Sequence, residues 1–193
     1  MRRLAPVGHY LALRVGFAFP LEEINALPAD WVDCYTRERF MLFDPVIRWS
    51  YQQSGATRWS EIGIDDPQGV LARAREHGLR YGAAVAVHDE SAGGQRSFGS
   101  FLRADREFTA DEMAVLLGHV AHLHDAHRPP TNLTAAELEA LGMVKDGMRL
   151  KQIAHVLGVS EGAVKQRLKN AKDKLGAATS TQAAALASGF GLI

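Results

Sequence analysis

Residues 133–176 read LTAAELEALGMVKDG, MRLKQIAHVLG and VSEGAVKQRLKNAKDKLG in succession, with helix punctuation wherever three short helices need it. Thr134 stands three residues before Glu137, the spacing at which a cap hydroxyl and a returning carboxylate each satisfy a free backbone amide. Leu138, Leu141 and Val144 then share a face, and Gly147 is placed to end the helix. A second helix is predicted over 150–157, burying Ile153, Ala154 and Leu157 and closing at Gly158. Val159 and Ser160 make a turn, with Ser160 the cap of a third helix that runs to Leu175. In that helix Val164, Leu168, Ala171 and Leu175 form an apolar stripe that fastens it to the other two. The opposite face is left free and carries Lys165 and Lys169 one turn apart.

Eight basic residues against five acidic ones follow Pro130, so this part carries +3 and the remainder −3 in a chain of formal net charge +0. Cations concentrated on one short helix of a neutral chain imply a phosphate backbone as partner. Lys165 and Lys169 would point into a major groove about 12 Å wide, and Gly162 leaves room for close approach. Arg167, Lys172 and Lys174 are placed to hold phosphates, contacts that position without reading sequence. Ser160, Lys165, Arg167, Lys169 and Lys172 are the candidate DNA-binding residues. A lysine run taken alone reads as a solvated charged face. The agreement of cap, turn, stripe and charge on one three-helix geometry favours double-stranded DNA.

The whole chain has 193 residues, 47% hydrophobic and 23% charged, which suits one ordinary domain plus a small one. We place the domains at 1–128 and 133–193, with a linker over 129–132 where Pro129 and Pro130 forbid helix continuation. The single cysteine, Cys34, excludes an internal disulfide and a cysteine-based zinc finger. No apolar run approaches the roughly 18 residues that span a membrane, and the first 16 residues lack a signal-peptide core. A cytoplasmic protein with no membrane partner is expected. His119, His122, His124 and His127 cluster ahead of the linker, but they lack a convincing carboxylate set and read as helix-surface histidines rather than a metal site.

Ahead of the linker the pattern is strand (10–17), an aromatic-rich helical stretch (31–49), helix (67–77, ending at Gly78) and two strands (79–88 and 97–103). The two strands join through a turn at 91–94, and a second capping box, Thr109 with Glu112, opens a helix to about His124. A sheet covered by helices results. Trp31 and Tyr35, four apart, share a helical face, and Asp44 sits among Met41, Leu42, Phe43, Pro45, Val46 and Ile47. A carboxylate in such company needs hydrogen bonds from a protein amide or from a ligand. With Trp59 these groups could line a mostly apolar pocket for a small amphipathic molecule. The plain alternative is an aromatic core in which Asp44 caps a turn before Pro45.

The C-terminal stretch resembles the DNA-binding domain of LuxR-type transcription factors, through Leu133-Thr134, Glu137, Gly147, Ile153-Ala154, Leu157-Gly158, Val159-Ser160, Val164-Lys165, Asn170, Lys174-Leu175-Gly176 and Gly191-Leu192. A fourth helix, over 181–188, would follow, of a kind that often pairs two subunits. Lys165 and Lys169 stand where family members make base contacts, several of them with arginine, whose fork onto guanine lysine lacks. The order Trp31, Tyr35, Asp44-Pro45, Trp59, Gly78 and Gly82 is similar to the autoinducer-binding domain of the same quorum-sensing regulators. The resemblance implies an α/β/α sandwich, shortened at its N-terminus, followed by an all-α helix-turn-helix domain of four helices. It implies an N-acyl homoserine lactone as ligand and no cofactor. Trp31 would donate to the lactone carbonyl and Asp44 accept from the amide. Tyr35 and Trp59 would pack the ligand, Pro45 would accompany Asp44, and Gly82 would allow close packing at a strand.

Leu27 stands where many members carry a tyrosine, and Leu102 where a serine or threonine is common, so two orienting contacts are lost. Helices that precede the first strand in the family are missing, leaving one sheet face to a partner subunit or a less stable domain. The expected molecule is a ligand-responsive regulator binding inverted-repeat DNA as a homodimer, its recognition helices about 34–36 Å apart. RNA polymerase is a further partner this implies. The alternative is a ligand-independent protein that heterodimerises with a full-length regulator. An enzyme is not expected, because Cys34, Asp44 and the histidines show no nucleophile–base spacing and no phosphate loop.

Overall fold

The computed structural model describes residues 3–16, 19–90 and 94–193. They fall into two compact units, one within Met1–Val15 and Glu22–His127, the other within Gly16–Leu21 and Arg128–Ile193. The first holds, save for the first two residues of β2, a sheet of strands β1 (Gly8–Val15), β2 (Pro20–Asn25), β3 (Gly55–Arg58), β4 (Tyr81–His88) and β5 (Arg96–Arg103), in the order β2-β1-β5-β4-β3. The pairs β1–β5, β5–β4 and β4–β3 are antiparallel. Two of these strands were not expected. β3 is only four residues long and half-buried throughout, and β2 lies at the sheet edge, so neither shows the alternation that marks a half-buried strand. Phe17 of the expected first strand and residues 91–93 of the expected turn lie outside the described residues.

The aromatic-rich stretch is two helices, α1 (Ala29–Arg37) and α2 (Pro45–Gln52), separated by a 3₁₀ turn at Phe40–Leu42. Arg39 enters the left-handed region with φ 56°, which stops α1. Proline lacks the N–H of a helix interior, so Pro45 begins a new helix at its first turn, with Asp44 as cap. α3 (Val70–Glu76) starts later than expected because Gly69 is left-handed at φ 65° and the Asp66 carboxylate accepts the amides of Val70 and Leu71 at 2.8 and 2.9 Å. α4 (Ala110–Ala126) opens on the full Thr109–Glu112 capping box.

Helices cover both sheet faces. α4 lays Met113, Leu116 and Val120 on Leu11, Ala83, Val85 and Phe101. The other face presents Ala12, Ala86, Phe98 and Leu102 to the side where α1 and α3 bury Trp31, Cys34, Val70 and Ala74. On the first of these faces Leu116 and Val120 of α4 are fully buried.

The second unit contains α5 (Ala135–Lys145), α6 (Leu150–Leu157), α7 (Glu161–Leu175) and α8 (Ser180–Gly189). Caps read from the sequence are in place: Thr134 and Glu137 exchange hydrogen bonds, Gly158 takes a left-handed conformation, and Ser160 Oγ accepts from Ala163 N at 3.2 Å; Gly176, also left-handed, ends α7 as a cap not read from the sequence. The core gathers Ala140, Leu141, Ile153, Val164, Leu168, Ala171, Ala183 and Ala187. Ala140 takes the core place expected of Leu138, which stays half-buried. With alanines from three helices at the centre, α8 can lie close on α5 and α7.

Candidate ligand cavity and nucleic-acid interface

A cavity of about 490 Å³ lies between the α1–α2 layer and the sheet, lined by Trp31, Tyr35, Asp44 and Trp59 together with Tyr10, Leu27, Ser100 and Leu102. Trp31 meets Tyr35 edge-on with ring centroids 5.5 Å apart, the contact that four-residue spacing on α1 predicts. Pro45 and Gly82 are not among the lining residues. Pro45 starts α2, and Gly82 lies beneath Trp59, where a Cβ would come within 2.2 Å of the indole. Gly82 thus acts through Trp59, because only a residue without a side chain lets that ring settle on β4.

Asp44 does two things at once. Its Oδ1 accepts from Val46 N at 2.7 Å and caps α2, while its Oδ2 accepts from the Tyr35 hydroxyl at 2.7 Å. Burial pushes its carboxyl above the usual range, the bonds from Tyr35 and Val46 oppose this, and no cation among the described residues contributes. Burial and the Asp44 charge likewise push the Tyr35 phenol up. Each carboxylate oxygen can accept a second hydrogen bond, so the cavity presents an under-compensated acceptor. Leu102 does line the cavity, but so does Ser100 two residues earlier on the same face. Among the described residues its buried hydroxyl has no partner, as is true of the Trp59 indole N–H. Period-2 alternation along β5 was the signal that could have found Ser100.

His124, expected on a helix surface, is buried. Its Nδ1 lies 2.7 Å from Ser97 Oγ and its Nε2 3.1 Å from Asp89 Oδ1. Arg14, fully buried at a β1 bulge with φ 51°, donates from Nε to the His124 carbonyl at 2.8 Å and pairs with Asp89. Burial and the Arg14 charge hold the imidazole below its ordinary value. Although serine, histidine and aspartate follow one another here, Ser97 is fully buried and lies off the cavity lining, so the chain of bonds ties α4 to the sheet.

On α7, Val164, Leu168 and Ala171 point inward while Lys165 and Lys169 are exposed. Lys172 is half-buried, and Arg167 reaches Glu139 at 3.8 Å. Lys174, expected at a phosphate, instead donates to the Glu137 carboxylate at 2.8 and 2.9 Å. Sequence reading gave no role to Gln166, or to Asn170 beyond the resemblance; their exposed side chains bond each other at 2.7 Å beside the lysines. Their i, i+4 spacing was the available signal, since carboxamides match the adenine edge.

Residues 16–126 match the autoinducer binding domain, and residues 131–187 match the bacterial regulatory proteins of the luxR family. The quorum sensing-dependent transcriptional regulator RpaR of Rhodopseudomonas palustris is 32% identical over 180 residues, 88% of this chain and 74% of its own. The quorum-sensing regulator RhlR of Pseudomonas aeruginosa is 28% identical over 193 residues, 93% of this chain and 79% of its own. Among solved structures, Escherichia coli SdiA superposes with TM-score 0.52 at 26% identity, over 96% of this chain and 83% of that one. SdiA in complex with octanoyl-rac-glycerol gives 0.51 at 27% identity, over 96% and 81%. An apolar cavity holding a buried acid, and a cation-bearing helix held by its apolar stripe, thus fall within two matched regions, and the chain belongs to the LuxR family of quorum-sensing transcriptional regulators, with an autoinducer-binding domain ahead of its helix-turn-helix domain.

Proposed function

We propose that residues 1–128 bind an N-acyl homoserine lactone or a related amphipathic acyl compound, and that residues 133–193 bind inverted-repeat DNA as a homodimer in response. The observation that carries this reading is Asp44, a buried carboxylate with no cation beside it among the described residues, in the wall of an apolar cavity. A ligand amide or hydroxyl supplies the missing donor, and Trp31, Trp59 and Ser100 offer further polar contacts beside an aliphatic lining. The SdiA complex with an acylglycerol supports an acyl ligand with a polar head. Pro45 and Gly82 take part indirectly, through α2 and Trp59.

In the DNA-binding unit Lys165 and Lys169 enter the major groove, Lys172 and Arg167 flank it, and the Ser160 cap orients the start of α7. Ligand favours the DNA-competent dimer by binding it more tightly than other arrangements. A cytoplasmic location and RNA polymerase as a further partner belong to this same proposal. Among the described residues no helix is long and apolar enough to cross a membrane.

Thermal-shift and mass-spectrometric screening of the purified chain against acyl lactones and monoacylglycerols tests the cavity; stabilisation lost in Asp44→Ala is the expected result. Lys165→Ala and Lys169→Ala should each weaken duplex binding in a gel-shift titration at fixed salt, and unchanged affinity refutes that placement. Absent DNA binding by the pure chain, combined with co-purification of a longer regulator, would favour the heterodimer instead.

A further inference from the structure

Lys174 lies in the last turn of α7 and Glu137 in the first turn of α5. The Lys174 ammonium donates to Glu137 Oε1 at 2.9 Å, to Oε2 at 2.8 Å and to the carbonyl of Asn132 at 2.8 Å. Glu137 meanwhile accepts the Thr134 amide at 2.8 Å, which keeps the start of α5 capped. Its side chain is 5% exposed and that of Lys174 25%. With three acceptors in place, Lys174 cannot serve a phosphate without abandoning them.

The apolar stripe of α7 fixes which face turns inward, but aliphatic contacts are non-directional and tolerate sliding along the axis. Hydrogen bonds are directional, and the other ion pair from α7 to α5, Arg167–Glu139, is longer at 3.8 Å and more exposed. We infer that Lys174 and Glu137 are a positioning pair that sets the axial register and tilt of α7, anchoring it to the α5 cap and to the backbone of Asn132 just after the paired prolines. The inference rests on α7 being the helix that reads DNA. Lys174 is thereby separated in role from Lys165 and Lys169: it holds the reading helix and touches no nucleic acid.

Fluorescence anisotropy of the full chain tests this, with one duplex of about 40 bp selected from a random library by the unaltered protein and a scrambled duplex of equal length. Lys174→Gln and Glu137→Gln should weaken the selected duplex about tenfold, the loss expected of a misplaced base contact, and leave the scrambled duplex within about twofold. The slope of log affinity against log salt should stay unchanged, and Lys174→Arg, which keeps the charge, should retain most of the affinity. Helical circular dichroism at the assay temperature establishes that each variant is folded. If Lys174→Gln unfolds, Glu137→Gln carries the test, since its amide oxygen still caps α5. A slope smaller by about 0.9 in Lys174→Gln would make this lysine a phosphate contact and overturn the inference. Unchanged affinity for the selected duplex in folded Lys174→Gln and Glu137→Gln would leave the pair a purely structural one and overturn it too. Failure of the unaltered chain to bind any duplex would instead overturn the DNA reading itself.

Discussion

Asp44 and Glu137 are both buried carboxylates that cap a helix, yet their surroundings drive them in opposite directions. Glu137 has a cation in hydrogen-bonding contact: burial pushes its carboxyl up, but Lys174 and Thr134 outweigh that and hold it below the usual range. Asp44 has a phenol and an amide but, among the described residues, no cation, and burial leaves it above that range. A satisfied acid closes a domain, whereas an under-compensated one beside a cavity leaves affinity for whatever donor enters. The DNA-binding unit is completed by its own side chains; the ligand unit keeps one acceptor in reserve.

Replacing each acid in turn sharpens the contrast. Glu137→Ala removes a cap acceptor and strands Lys174, so it should cost about 2–4 kcal/mol in urea unfolding of the full chain. A cost below about 0.5 kcal/mol would place Glu137 with surface acids. Gly82→Ala should cost about 1–3 kcal/mol, because its methyl collides with the Trp59 ring, and a blue or red shift of tryptophan emission should accompany it. Asp44→Asn removes a buried charge while keeping a cap acceptor. Ligand-free stability should therefore move by less than about 1 kcal/mol, and thermal stabilisation by an acyl ligand should be lost.

The pH dependence separates the acids with the right sign. The folded-state value of Glu137 is depressed, so its contribution is complete above the unfolded value near 4.5 and disappears as pH falls through the lower, folded value. Asp44 is raised, so its cost appears as pH climbs above the unfolded value near 3.8 and is complete once pH passes the folded value. In the ligand unit His124 adds a third trend: its folded value is lowered, so stability present above 6.5 is lost as pH drops through the folded value. Thermal melts of His124→Gln between pH 5 and 7 should lack that decline, the smallest effect expected here.

Local rules made much of this legible. The capping boxes at Thr109 and Thr134, the αL glycines at 147 and 158, the Trp31–Tyr35 face and the α7 stripe each depend on residues within one or two helical turns. The edge strands were missed because the four half-buried residues of β3 and the six intermediate or exposed residues of β2 carry no regular alternation. Ser100 was passed over although alternation puts it on the face of Leu102, two residues on; that this face lines a cavity is decided by the helices packed against the sheet.

By itself the sequence determined where the helices of the DNA-binding unit begin and end, which side of α7 is apolar, and that an acid stands among apolar residues before Pro45. Tertiary structure alone decided which charges remain available. Lys174 finds its carboxylate 37 positions away, and Arg14 finds the His124 carbonyl 110 positions away. A charge is spent or free according to partners that only the folded chain brings near, because hydrogen bonds act over a few ångströms of space whatever the separation along the chain.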